Sequence, residues 1–180
     1  MKLLTVHYDS YLTEQKLVKL MQNIYGVNNI VSQYKDKQDT YKRYTYDIFI
    51  KSECILVEFD GDQHYSNIDT IKRDMIKNTI IDNSHLYSRI IRIPYFVQLT
   101  TEVFSHLFQK DNVIIDQDYP HGFIDKKAKL PSNYCSHGEL KFLEDLERFS
   151  YIKEDILDSL KRGAVDRDYI VGIGMLKNLI

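Results

Sequence analysis

Tryptophan is absent from this 180-residue chain, cysteine occurs twice, proline three times and glycine seven times. The two cysteines, Cys54 and Cys135, stand far apart and form no Cys-x-x-Cys pair, which excludes a zinc site built on paired thiolates. Cys54 follows an apolar strand pattern and reads as a small buried hydrophobe. No apolar run approaches the length of a membrane span. Met1-Lys2-Leu3-Leu4 turns polar too quickly for a signal peptide, so an intracellular, reducing location is expected. Strong charge of either sign is also missing. The net charge is -2, so the chain is no polycation and a nucleic-acid partner would need a local basic face. There is no internal repeat and no low-complexity tract.

What is present suits one domain with a real core, since 43% of the residues are hydrophobic and 28% charged. Leu12, Leu17, Leu20, Met21 and Ile24 recur at helical spacing over residues 10–24, and Gly26 stands where a C-terminal cap belongs. A strand follows at 27–34, then a polar loop at 35–43. Tyr46-Asp47-Ile48-Phe49-Ile50 and Ile55 to Asp60 form two strands in quick succession, which predicts an antiparallel hairpin. A second helix spans 68–81, with Ile71, Met75, Ile76 and Ile80 facing inward. Ser88 to Ile93 is a strand stopped by Pro94, and 99–108 is a third helix. The order α-β-β-β-α-β-α predicts a mixed sheet with helices on its faces. Composition shifts near Val113. The core domain is therefore placed at 1–112, and a loop with a helical annex packed on it at 113–180. In the annex, Ser136-His137-Gly138-Glu139 has the form of a capping box, helices follow at 140–149 and 151–162, and a last short helix is expected at 168–179.

The chemistry lies in the hairpin. Each strand carries acids where a core strand would carry valine or leucine, and a carboxylate there is costly unless something pairs with it. Glu58 and Asp60 share a face with Leu56, and Asp47 on the neighbouring strand is close enough to share an ion with them. A divalent cation is an economical partner for clustered carboxylates. It can polarise a phosphodiester and acidify a water. Gly61 allows a sharp turn or a close ligand approach. His64 is a candidate proton carrier. Taken alone, Asp60-Gly61 is an ordinary turn signal.

The segment resembles the PD-(D/E)XK nuclease superfamily of restriction-endonuclease-like fold, and within it the group near the very-short-patch repair endonucleases. The residues that carry the likeness are Glu14 on the first helix, Asp47 on a strand and Glu58-Phe59-Asp60-Gly61-Asp62-Gln63-His64. Asp69 and Arg73 on the next helix and Ile90-Ile91-Arg92-Ile93-Pro94 on the closing strand complete the set, over roughly residues 10 to 108. The resemblance implies an α/β fold, a restriction-endonuclease-like mixed β-sheet flanked by helices. It implies Mg²⁺-dependent cleavage of DNA phosphodiesters, with Mn²⁺ able to substitute. Asp47 and Glu58 become metal ligands. Glu14 acts through a water or a second ion, and Gln63 and His64 position the phosphate or the attacking water. The superfamily's lysine two residues after the strand glutamate is Asp60 here. That leaves the general base open, with Asp60 either a third ligand or a cap for the following turn.

Basic residues supply candidate nucleic-acid contacts. Arg73 and Lys77 lie four apart on one helix face and read as phosphate contacts, against the plainer reading of a solvated face with an Asp69–Arg73 pair. Lys35, Lys37, Lys42 and Arg43 interleave with Tyr34, Tyr41 and Tyr44, a mixture that suits charge and stacking. Lys126, Lys127 and Lys129 form a smaller run. The expected activity is a DNA endonuclease of homing, restriction or repair type, working as a homodimer if both strands are cut. The rivals are a non-catalytic nuclease-fold DNA-binding or interaction module and an RNA-directed nuclease.

Overall fold

Thr13 opens the first helix by accepting the Lys16 N–H on its hydroxyl, and Gly26 closes it at φ 86°, a conformation that favours glycine. The computed structural model describes residues 2–8, 12–36, 44–117 and 134–165. Strand β1 (Leu4–Tyr8) precedes helix α1 (Glu14–Tyr25), and a short 3₁₀ turn (Val27–Asn29) leads into β2 (Ile30–Lys35). Strands β3 (Thr45–Ile50) and β4 (Ile55–Asp60) follow, then helices α2 (Gln63–Ser66) and α3 (Ile68–Asp82). The chain continues through β5 (Arg89–Pro94), α4 (Thr101–Phe108), β6 (Val113–Gln117), α5 (Ser136–Arg148) and α6 (Lys153–Val165).

The architecture is α/β. A mixed four-stranded sheet runs β2-β3-β4-β5, antiparallel except for the parallel β4–β5 pair that the α2–α3 crossover joins. The register sets Ile48 opposite Val57 and Glu58 opposite Arg92. Successive residues of β4 point to opposite faces. Ile55 and Val57 join α1's Leu17, Leu20 and Met21 in the main core, whereas Leu56 joins Tyr46, Ile81 and Tyr87 on the other side. Alpha-helix α3 covers that second face.

Several expectations need correction. Helix α3 spans the expected residues, but Met75 and Ile76 are 63% and 47% exposed, and its buried stripe is Thr70, Ile71, Asp74, Lys77 and Ile81. The sheet face beneath it carries charged partners, so the polar stripe turns inward. Cys54 is exposed in the β3–β4 turn at φ 54°, not buried. Val113–Gln117, placed at the start of the annex from composition, is a strand paired in parallel with β1. Cys135, not Ser136, is the N-cap residue of α5, and no side chain caps that helix. Its Phe142 and Leu146 sit in the main core, as do Ile152, Ile156 and Leu160 further on. Gly163 lies within α6 and does not end it. The short helix expected at 168–179 and the basic run at Lys126, Lys127 and Lys129 fall outside the described residues.

Candidate functional site

The C-terminal end of β4 gathers titratable side chains from α1, α2, α3, α5, β3 and β5 around its own Glu58 and Asp60. On the β3 side, one further step of the Ile48–Val57 register brings Asp47 opposite Glu58. Here the ladder gives way to a side chain: the Phe59 N–H donates to Asp47 Oδ2 at 2.8 Å. Glu58 is only 2% exposed. Lys77, reaching in from α3 and itself 8% exposed, donates to Glu58 Oε1 at 2.7 Å and to the Thr45 carbonyl at 2.7 Å. Its ammonium also lies 5.1 Å from the centre of the Tyr46 ring.

Burial pushes the Glu58 carboxyl up to about 7; Lys77 opposes the rise and the Asp47 charge adds to it. Asp47 is also raised by burial, countered by the Phe59 N–H, with the Glu14 charge adding to the rise. Glu14, the first residue of α1, accepts from Gln33 Nε2 at 2.6 Å. Gln33 sits at φ 49° on β2, between the pairs Ser32–Ile48 and Tyr34–Tyr46 and therefore opposite Asp47. Among the described residues nothing donates to Asp47 Oδ1 or Glu58 Oε2. Two hard oxygens at the parting ends of two strands suit a small divalent cation that keeps several waters.

Asp60 belongs to a different arrangement. It is fully buried, and the Arg92 guanidinium grips both its oxygens, Nε to Oδ2 at 2.9 Å and Nη2 to Oδ1 at 2.7 Å. Lys141 of α5 adds a third bond to Oδ2 at 2.8 Å. Burial alone would raise this carboxyl, but Arg92 and Lys141 outweigh it and hold it well below the usual carboxylate range. Asp60, His64 and Asp74 offer ligand atoms within 4.8 Å of one another. Arg92 nevertheless occupies the space between them: its Nη2 stands 2.7 Å from Asp74 Oδ1 and 3.3 Å from His64 Nδ1. A fixed cation already neutralises the trio, and a second one there would meet direct repulsion. Asp60 thus anchors Arg92, and of the three expected metal ligands it is the one that belongs to this group of ligand spacing.

His64 opens toward solvent, with its side chain 19% exposed. Its Nδ1 lies 2.6 Å from Asp74 Oδ2. Two acceptors cannot make so short a contact without a proton between them, so Nδ1 carries it and donates to the carboxylate. In the neutral ring Nε2 is then the free acceptor.

No family model matches the chain. No curated protein or solved structure matches it either.

The expected residues thus divide. Glu14, Asp47, Glu58 and His64 flank one end of β4, whereas Gln63 is exposed at the start of α2. Gly61 leaves open space, since no atom lies within 4 Å of where its Cβ would stand. Arg73 is exposed and donates to Thr70 Oγ1 at 3.0 Å, so it remains on the surface face of α3. Lys77 does not: it is a buried partner of Glu58 rather than a surface phosphate contact. Lys42 and Arg43 lie outside the described residues. Sequence reasoning missed Asp74, Arg92 as a guanidinium clamp, and Lys141. The spacing of Thr70, Asp74, Lys77 and Ile81 along one helical stripe was the available signal.

Proposed function

We propose that this chain is a metal-dependent endonuclease that hydrolyses DNA phosphodiesters, of the restriction-endonuclease-like kind that its sequence resembles. The observation that carries the reading is the half-buried Asp47 beside the buried Glu58 at the end of two adjoining strands, with Lys77 bonded to Glu58 at 2.7 Å. Asp47 and Glu58 would hold Mg²⁺, with Mn²⁺ as a substitute. The chemistry that a bound ion supplies at such a place is polarisation of the phosphodiester and a more acidic water.

The chain's own groups account for the rest. Lys77 fixes the Glu58 carboxylate and offsets its burial. Its ammonium also offers a positive charge to an oxygen gaining negative charge. The Asp74-held tautomer leaves His64 Nε2 able to accept a proton. Arg73 on the exposed face of α3 is the contact proposed for nucleic acid. One site cuts one strand, so cleavage of both strands would use two copies of the chain.

The test is a cleavage assay on supercoiled plasmid and on a structured RNA, each with Mg²⁺, Mn²⁺ or EDTA. Wild-type protein runs beside Asp47→Asn and Glu58→Gln. Plasmid cutting that needs the metal and is lost in both variants is the expected result. Cutting that survives both substitutions removes the site, binding without cutting favours a scaffold module, and selective cutting of RNA changes the substrate class.

A further inference from the structure

Helix α5 is far from the acid pair in sequence, yet it reaches the groups that hold His64. Lys141 donates to Asp60 Oδ2 at 2.8 Å and to Asp145 Oδ2 at 3.2 Å, and its ammonium lies 4.3 Å from the centre of the Tyr65 ring. Asp145 accepts the Tyr65 hydroxyl at 2.7 Å, and Arg148 Nη2 donates to the Arg92 carbonyl at 2.9 Å. Gly138 seats the helix directly on α2, because a Cβ there would overlap the Tyr65 carbonyl oxygen. The result is an alternating chain of charge: Lys141, Asp60, Arg92, Asp74, His64.

Arg92 divides one guanidinium between two carboxylates. Asp60 is fully buried and would draw more of that guanidinium if it lost its second cation, since a buried carboxylate with incomplete pairing is costly. Any such shift takes Arg92 Nη2 away from Asp74. Asp74 is the group that fixes the proton on His64 Nδ1.

We propose that Lys141 is a positioning residue for His64: by holding Asp60, it frees Arg92 to brace Asp74, which holds the ring proton on His64 Nδ1. Helix α5 therefore completes the site instead of only covering the core. The catalytic half of this inference rests on the nuclease reading; the effect on the His64 ring does not.

The experiment uses the full chain as wild type, Lys141→Met and Lys141→Arg, with Lys141→Gln in place of Lys141→Met should the latter not fold. Nitrogen-15 NMR of the His64 ring reports its tautomer, and plasmid cleavage gives kcat and KM. The expected result is a single Nδ1–H tautomer in wild type and a tautomer mixture in Lys141→Met. With it, kcat falls by about 10²-fold at unchanged KM, and Lys141→Arg recovers both readouts. A wild-type tautomer and kcat in Lys141→Met, even with a lowered Tm, would overturn the proposal and reduce Lys141 to a structural role. A rise in KM alone would overturn it in favour of direct DNA contact. If wild type cuts nothing while the ring still responds to Lys141, the nuclease reading fails and the positioning stands.

Discussion

Glu58 and Asp60 stand two residues apart on one strand, yet their carboxyls are displaced in opposite directions. Burial dominates at Glu58 and raises it from an ordinary 4.5 to about 7, whereas Arg92 and Lys141 outweigh burial at Asp60 and hold it low. The consequences for stability have opposite signs. Glu58 costs the fold stability as pH rises from about 4.5 to about 7. Asp60 contributes stability above the normal carboxylate range, and that contribution is lost as pH falls toward its depressed value. Asp60→Asn should therefore destabilise the protein by about 3–5 kcal/mol at pH 7, because it leaves Arg92 and Lys141 short of a buried counter-charge. The gap between variant and wild type should narrow steadily as the pH is lowered below about 4. Urea denaturation across that range checks it; a gap that stays constant with pH would mean that Asp60 carries no charge-dependent stability. The sequence made Asp47 and Glu58 legible because acids in apolar strands are rare and expensive. It did not separate Asp60 from them. The distinction rests on Arg92 and Lys141, which are 32 and 81 residues away in the chain.

At the scale of elements, helix α3 shows why periodicity alone misplaces a face. Of the apolar stripe Ile71, Met75, Ile76 and Ile80, Ile71 is buried and Ile80 partly so, yet Met75 and Ile76 face out while Asp74 and Lys77 are buried in their stead. Each has a partner there, His64 and Arg92 for Asp74 and Glu58 for Lys77. Pairing across elements thus overrides the local pattern. The β1–β6 pair was hidden for a related reason: two five-residue strands joined only across 109 positions give little local signal. By contrast, the antiparallel β3–β4 hairpin, the limits of α3 and the strand ending at Pro94 follow from short-range patterns and were readable. Helix α5 offers a test in which two effects predict opposite signs. Gly to Ala in an open helix interior stabilises by about 1 kcal/mol. At Gly138 the new Cβ meets the Tyr65 backbone instead. Gly138→Ala should therefore lower stability by about 1–3 kcal/mol or more, seen as a fall in Tm of several degrees. A raised Tm would mean that α5 does not sit against α2 in this way.

For the whole molecule, the four-stranded sheet brings two groups of charged side chains side by side at one strand end. Asp47, Glu58 and Lys77 meet on the β3 side, whereas Asp60, Asp74, His64 and Arg92 meet on the β5 side, with α5 locking the latter. Among the described residues no helix is long and apolar enough to cross a membrane. The division matters because both groups contain carboxylates, but in the second every carboxylate oxygen is already held by Arg92, Lys141 or the His64 ring. A crystal soaked in manganese and measured for anomalous scattering distinguishes them directly. The account predicts an ion bound between the Asp47 and Glu58 carboxylates, with Arg92 still seated on Asp60 and Asp74. An ion bound by Asp60, His64 and Asp74 with Arg92 displaced, or no ion at either place under saturating manganese, would contradict it.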